Sequence, residues 1–204
     1  MAQAMEPNTT TPHEDPVVMS PTWFPIPETR FLVCEAFSPP RATRRALERG
    51  MRGGWALDLQ SPDPVTQKTY DLGCLRTVAR VKAMLKKDRP LMLIVSPPCT
   101  YFSSLMNFSQ GPSKEDWDHA VALFSAAVDL CLYQARLGGK FILEHPTGSR
   151  AWGLPCLGKL LHVDGLGRAD FHMCQYGMTQ EDDYGCGFIY KPTSILTNSE
   201  AAAQ

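Results

Sequence analysis

The chain of 204 residues is 44% hydrophobic and 20% charged with a formal net charge of −1, which fits one globular domain with a sizeable core and leaves little length for a second. No apolar run reaches the ~18–20 residues of a membrane span, and "MAQAMEPNTTTPHEDP" has neither the basic nor the apolar region of a secretory signal. Seven cysteines, at 34, 74, 99, 131, 156, 174 and 186, are odd in number and lack C-x-x-C spacing, so they read as free thiols of a reducing intracellular compartment, nucleus or cytoplasm, and not as a metal site.

In chain order, residues 1–29 are rich in Pro, Thr and Asn and have no period, so they read as an extended or disordered tail, although "WFPIP" (23–27) suits docking as an extended strip. The domain is expected over 30–199. "RFLVCEAF" is a buried strand over 31–36, and "PPRATRRALERG" is a helix opened by proline and closed by Gly50. "GWALDL" (54–59) is a second strand that ends on an acid. Leu75, Val78, Val81 and Leu85 keep helical spacing, and "LMLIVS" (91–96) is a continuous apolar strand, the pattern of a sheet covered on both faces.

Ser113 opens an S-x-x-D box with Asp116, and Trp117, Val121, Phe124, Val128, Cys131 and Ala135 form one stripe of a helix that Gly138 and Gly139 end. "KFILEHP" (140–146) is a fourth strand. "ADFHMCQYG" (169–177) and "TSILTN" (193–198) read as two more with weak helical signal between them, and 200–204 as a short tail. Strand alternating with helix predicts a Rossmann-like, mostly parallel α/β sheet with right-handed crossovers and helices on both faces.

Net neutrality conceals an asymmetry. "RATRRALERGMR" (41–52) has five arginines against one glutamate, and "RTVARVKAMLKKDR" (76–89) six basic residues against one aspartate, while "EDD" (181–183) and the first thirty residues hold acids. The basic stretches suit a phosphate backbone. They suit two solvated helix faces equally well.

Ligands of such sheets collect beyond the carboxyl ends of the strands, near the switch in strand order. "CEAFSPP", Asp58, "SPPC" and "LEHP" end the first four strands, so strand order would bring Glu35, Asp58, Cys99 and Glu144 to one rim. Prolines end a ladder and fix φ, so Cys99 is presented rigidly. A thiolate with a neighbouring carboxyl group that can pass a proton to a ring nitrogen suits attack on C6 of a pyrimidine. Each residue also has a structural reading: Cys99 as an idle thiol in a turn, Glu144 as a strand-end acid paired with Arg150, Asp58 as a helix N-cap. His145 reads as a hydrogen-bonded structural residue, and Cys34, Cys131 and Cys174 as core.

"SPPC", "FILEHP" and "CQYGM…KPTSILTN" together resemble the motif set of DNA cytosine-5 methyltransferases, whose class I fold binds S-adenosylmethionine. "FSPPR", "SPPCTYFS" and "EHP" also resemble divergent methyltransferase-like domains of large viruses and of algal retroelement polyproteins. The resemblance spans roughly residues 31–198. It implies that Cys99 attacks C6 and that Glu144 engages N3 and the exocyclic amine. Phe37, Ser38, Pro39 and Pro97 would border the cofactor with Glu35 beneath the turn, Asp58 would take the ribose hydroxyls and Asp71 would face the adenine. Lys191 would stand where the family keeps arginine, and Arg41, Arg44 and Arg45 would meet nucleic acid. Three departures are plain: Ser-Pro-Pro-Arg replaces a glycine-rich turn, "EHP" replaces Glu-Asn-Val, and no length remains for a target-recognition domain. The implied partner is therefore open or single-stranded nucleic acid, or duplex with a protein that supplies recognition. A methyltransferase-like subunit without catalysis is the other function consistent with these residues.

Overall fold

The computed structural model describes residues 30–63, 66–103, 106, 111–183 and 185–204; the expected tail, with its 23–27 strip, lies outside them. The elements are β1 (Val33–Ala36), α1 (Ala42–Glu48), β2 (Gly53–Leu57), α2 (Leu75–Asp88), β3 (Met92–Val95), α3 (Lys114–Arg136), β4 (Lys140–Pro146), β5 (Gly167–His172), β6 (Thr179–Asp182), β7 (Gly185–Phe188), β8 (Pro192–Thr197) and α4 (Glu200–Ala203). Six strands make one sheet in the order β2-β1-β3-β4-β8-β5, and β6 pairs with β7 in a separate hairpin. β2, β1, β3 and β4 are parallel, whereas β8 is antiparallel to both its neighbours. β5 therefore runs in the same direction as β4. The sheet is mostly parallel, as the alternation of elements predicts.

Side-chain alternation places the layers. Cys34, Ala36, Leu93, Val95, Phe141 and Leu143 share one face by register and are fully buried, in one cluster with Val81, Leu85, Phe124, Val128 and Cys131 of α2 and α3. Glu35 points the other way and meets Thr43 of α1. So α1 covers one face and α2 with α3 the other, the arrangement that right-handed crossovers produce when the chain moves first to one side of β1 and then to the other. α3 begins as the serine box predicts: Ser113 Oγ accepts from the Asp116 amide at 3.1 Å. It ends at Gly138, where φ is +77° and a side chain would be strained.

Several expectations are corrected. Leu75 is 84% exposed, so the buried stripe of α2 starts at Val78. The strand expected over 169–177 stops at His172, and Met173–Tyr176 is a 3-10 turn. That turn leaves Cys174 only half-buried, outside the core. The weak helical signal before β8 gives way to the β6–β7 hairpin. Alternation hid it, because Gly185–Phe188 is exposed on both faces. Residues 200–203, expected as tail, form α4, and a Cβ added at Gly167 would lie 3.1 Å from the Cβ of Ala203. No helix among the described residues is long and apolar enough to cross a membrane, and all seven cysteines are free.

Candidate functional site

Four parallel strands lying side by side end at one rim, and their order reverses between β1 and β3. The turn after β1 is built on Glu35, which is 2% exposed. Its carboxylate accepts from the amides of Arg41 (3.0 Å) and Thr43 (2.8 Å) and from the Thr43 hydroxyl (2.6 Å), with Ser38 Oγ at 3.3 Å. α1 has no capping side chain of its own at Arg41. A buried acid from the neighbouring strand meets its orphan N–H groups instead. Glu35 lies beneath the turn, as expected, but its oxygens serve the chain itself, so it positions the turn and does not face a ligand. Above it, Phe37 has φ +59°, a left-handed conformation that is costly for a bulky residue and concentrates at functional turns. Ser38 is buried, Pro39 is half-buried, and the Ser38 amide reaches the Leu57 carbonyl at 3.3 Å.

At the end of β2, Asp58 is half-buried. Its Oδ2 accepts from the Ser61 and Gln60 amides at 3.1 and 3.3 Å, and Oδ1 has no partner among the described residues. It caps its own loop, not a helix. The Asp58 carbonyl accepts from the Tyr70 amide at 2.7 Å, which brings Asp71 to the same rim. Asp71 is exposed and turns back to the Gly73 amide at 2.9 Å. Asp63, not among the sequence candidates, is completely buried and receives the Ala56 amide at 3.1 Å and the Thr66 amide at 2.7 Å. It closes the free edge of β2. Its only sequence signal was a turn between prolines.

Beyond β3, Pro97 is buried, Pro98 exposed and Cys99 half-buried, leading into the 3-10 turn Thr100–Phe102. Phe102 is fully buried and anchors the turn, with ring centroids 5.3 Å from Trp117, 5.8 Å from Phe124 and 5.8 Å from His145, all edge-on. Arg150 does not pair with Glu144. It donates to the Tyr101 carbonyl at 2.9 Å and lies over the Trp117 ring. Tyr101 leans on Asp116, which pushes the phenol pKa up, while the Ser113 hydroxyl chiefly holds the Asp116 carboxyl down. The start of α3 thus braces the Cys99 turn.

On β4, next to β3, Glu144 and His145 point to opposite faces. Glu144 Oε1 has no hydrogen-bond partner among the described residues, but Lys191 Nζ lies 3.7 Å away, an ion pair longer than a hydrogen bond. Lys191, at the start of the return into β8, therefore stands against Glu144. His145 is fully buried; neither ring nitrogen makes a well-formed hydrogen bond to the described residues, and the expected polar partner reduces to a weaker contact with the Pro98 backbone, which acts against the effect of burial. Phe102, Phe124 and Trp152 enclose it, and this burial pushes its pKa down to about 4. Cys34 and Cys131 are core, and burial pushes both thiols up.

Arg41, Arg44, Arg45 and Arg49 are exposed, but Arg44 and Arg45 share Glu48 at 3.9 and 2.8 Å. Such pairs contribute little to stability and mute the local charge. No group of three or more His, Cys, Asp or Glu among the described residues is placed to hold a metal ion. No protein-family model and no curated protein matches the chain.

Proposed function

We propose that this chain transfers a methyl group from S-adenosylmethionine to C5 of a pyrimidine, cytosine by the sequence resemblance, in open or single-stranded nucleic acid. The observation that carries this reading is the rim. Asp58 follows β2, Cys99 lies in the turn after β3 and Glu144 is near the carboxyl end of β4, three of four adjacent parallel strands at the reversal of strand order where such sheets take ligands. The reversed strand β8 between β4 and β5 suits the class I methyltransferase sheet. Asp58 fits the cofactor because one carboxylate oxygen at the end of the second strand has no partner among the described residues. Phe37, Ser38, Pro39, Pro97 and Asp71 are the further candidates to border it. When bound, S-adenosylmethionine supplies the electrophilic methyl carbon.

The chain's own residues do the rest. The Cys99 thiolate adds to C6 and the ring electrons move to C5. Glu144, positioned by Lys191, enters as the carboxylic acid, hydrogen-bonds N3 and gives it the proton that balances addition of the thiolate. After the methyl transfer a solvent water takes the C5 proton, the C5–H electrons restore the C5–C6 double bond, the Cys99 thiolate leaves, and Glu144 takes its proton back from N3. Arg41 and the basic face of α2 are the candidate phosphate contacts, with binding that weakens steeply as salt rises. A second reading, a methyltransferase-like binding or structural subunit of a larger assembly, draws on one observation: two prolines and an inward-turned glutamate occupy the turn where the resemblance implies glycines. A partner protein would then supply target recognition.

Two measurements separate these readings. Thermal-shift titration with S-adenosylmethionine should stabilise the wild type, because the ligand binds only the native state. Asp58→Ala should weaken that binding about 10- to 150-fold, the worth of one charged hydrogen bond. An oligonucleotide containing 5-fluorocytosine lacks the C5 proton, so with cofactor it should leave an adduct that survives denaturing electrophoresis. Cys99→Ala should bind cofactor and form no adduct. A wild type that is neither stabilised nor trapped would leave the subunit reading.

A further inference from the structure

The β6–β7 hairpin has no role in the scheme above. It leaves the sheet after β5 and returns into β8, and because β5 runs with β4 while β8 runs against it, the hairpin rises from the same rim as Cys99 and Glu144. Among the described residues its strands pair only with each other, and an isolated hairpin is marginal in water. Yet Phe188 is 73% exposed and Tyr190 72% exposed. Large apolar rings held in solvent beside a candidate site point to a binding surface.

The geometry narrows the ligand. Pairing continues beyond β7, with the Ile189 amide donating to the Met178 carbonyl at 3.0 Å, so Phe188 and Tyr190 fall on one face of an extended strand. Side chains two residues apart there leave the strand ~6.8 Å from each other. That is twice the ~3.4 Å rise of stacked bases, so one flat ring fits between them. Tyr190 is itself stacked on His172, with centroids 4.5 Å apart and planes at 24°, which fixes it as the floor of such a slot. Charge sets the direction of approach: Lys191 lies at the base of the hairpin beside Glu144, whereas Glu181 and Asp183 are exposed towards its far turn. Phosphates are drawn to the base and repelled from the tip.

We propose that Phe188 and Tyr190, with His172 beneath, form a stacking slot for one unpaired base of a single-stranded nucleic acid whose neighbouring nucleotide reaches the Cys99–Glu144 rim. The choice of ligand rests on the pyrimidine reading, but the slot does not depend on catalysis.

The test uses fluorescence anisotropy of a labelled 12-nucleotide single strand with the full-length wild type and four variants, at one fixed salt concentration. Phe188→Ala and Tyr190→Ala should each weaken binding about 5- to 150-fold, the range for one stacked base. Tyr190→Phe, which keeps the ring, should bind like the wild type. On an abasic strand of equal length the alanine variants and the wild type should bind alike. Equal affinity of wild type and alanine variants for the normal strand would overturn the slot, as would an equal loss on the abasic strand. A wild type that binds no single strand would also overturn it. Cys99→Ala, measured alongside with the 5-fluorocytosine trap, separates the two ideas. Trapping by the wild type without ring dependence sinks the slot alone, whereas ring-dependent binding by wild type and Cys99→Ala without any trapping sinks the enzyme reading alone.

Discussion

The two turns that meet at the reversal of strand order are held in opposite ways. The turn after β1 hangs on a buried carboxylate: Glu35 gathers two amides and two hydroxyls, and the backbone above it bends into the left-handed conformation at Phe37. The turn after β3 hangs on apolar rings: Phe102 enters a box of Trp117, Phe124 and His145. Hydrogen bonds to a buried charge fix direction and fail sharply when one donor or acceptor changes. Close-packed rings fix position through many weak contacts and fail in proportion to the volume removed. One rim therefore has two independent supports.

Removing Phe102 should have the largest effect. Phe102→Ala should cost about 3–5 kcal/mol in urea unfolding and abolish trapping by Cys99, while Phe102→Leu, which keeps most of the volume, should cost well under half of that. A Phe102→Ala protein with unchanged stability would show that the ring box does not hold the Cys99 turn.

The box also makes its half of the rim sensitive to acid. Burial holds the His145 pKa near 4, against 6.5 in an unfolded chain, and the charge of Lys191 acts in the same direction. Above about pH 6.5 the imidazole is neutral in both states and titration takes nothing from stability. As pH falls below that, the unfolded chain binds the proton first, so stability declines until about pH 4. The full loss is roughly 3 kcal/mol. His145→Phe should remove this decline, and urea unfolding of both proteins from pH 7 to 4 reads it directly. Parallel declines in the two proteins would reject the assignment.

Glu35→Gln should have the smallest effect of the three, about 1.5–3 kcal/mol, because an amide NH2 faces donors that need an acceptor. The damage should stay local, weakening S-adenosylmethionine binding in calorimetry more than it slows Cys99 trapping at saturating cofactor. Equal loss on both sides would mean that the two supports are coupled.

The order of elements was legible because each buried strand and each helical stripe carries its own period: Leu93, Val95, Phe141 and Leu143 on strands, Phe124, Val128 and Cys131 on α3. So was the gathering of strand ends, since parallel strands joined by crossovers must end together. The β6–β7 hairpin was not legible, because a ribbon exposed on both faces has no apolar alternation, and Gly185 and Gly187 read only as loop. Leu75 was misread because spacing cannot tell the last turn over the core from the first turn beyond it.

The sequence by itself determined which residues stand at the rim, through chain order and strand direction, both local properties of the pattern. Only the tertiary structure decided how each of them is used. Glu35 and Asp58 are both acids ending strands, yet one faces α1 and is consumed by its amides, while the other keeps an oxygen without a partner among the described residues. Lys191 is 47 residues from Glu144 in sequence, and only β8 folding back against β4 brings their charges together. His145 is buried among three rings from three separate elements and meets the Pro98 backbone of the turn after β3. Partners of that kind are set by packing between distant segments, and no local spacing encodes them.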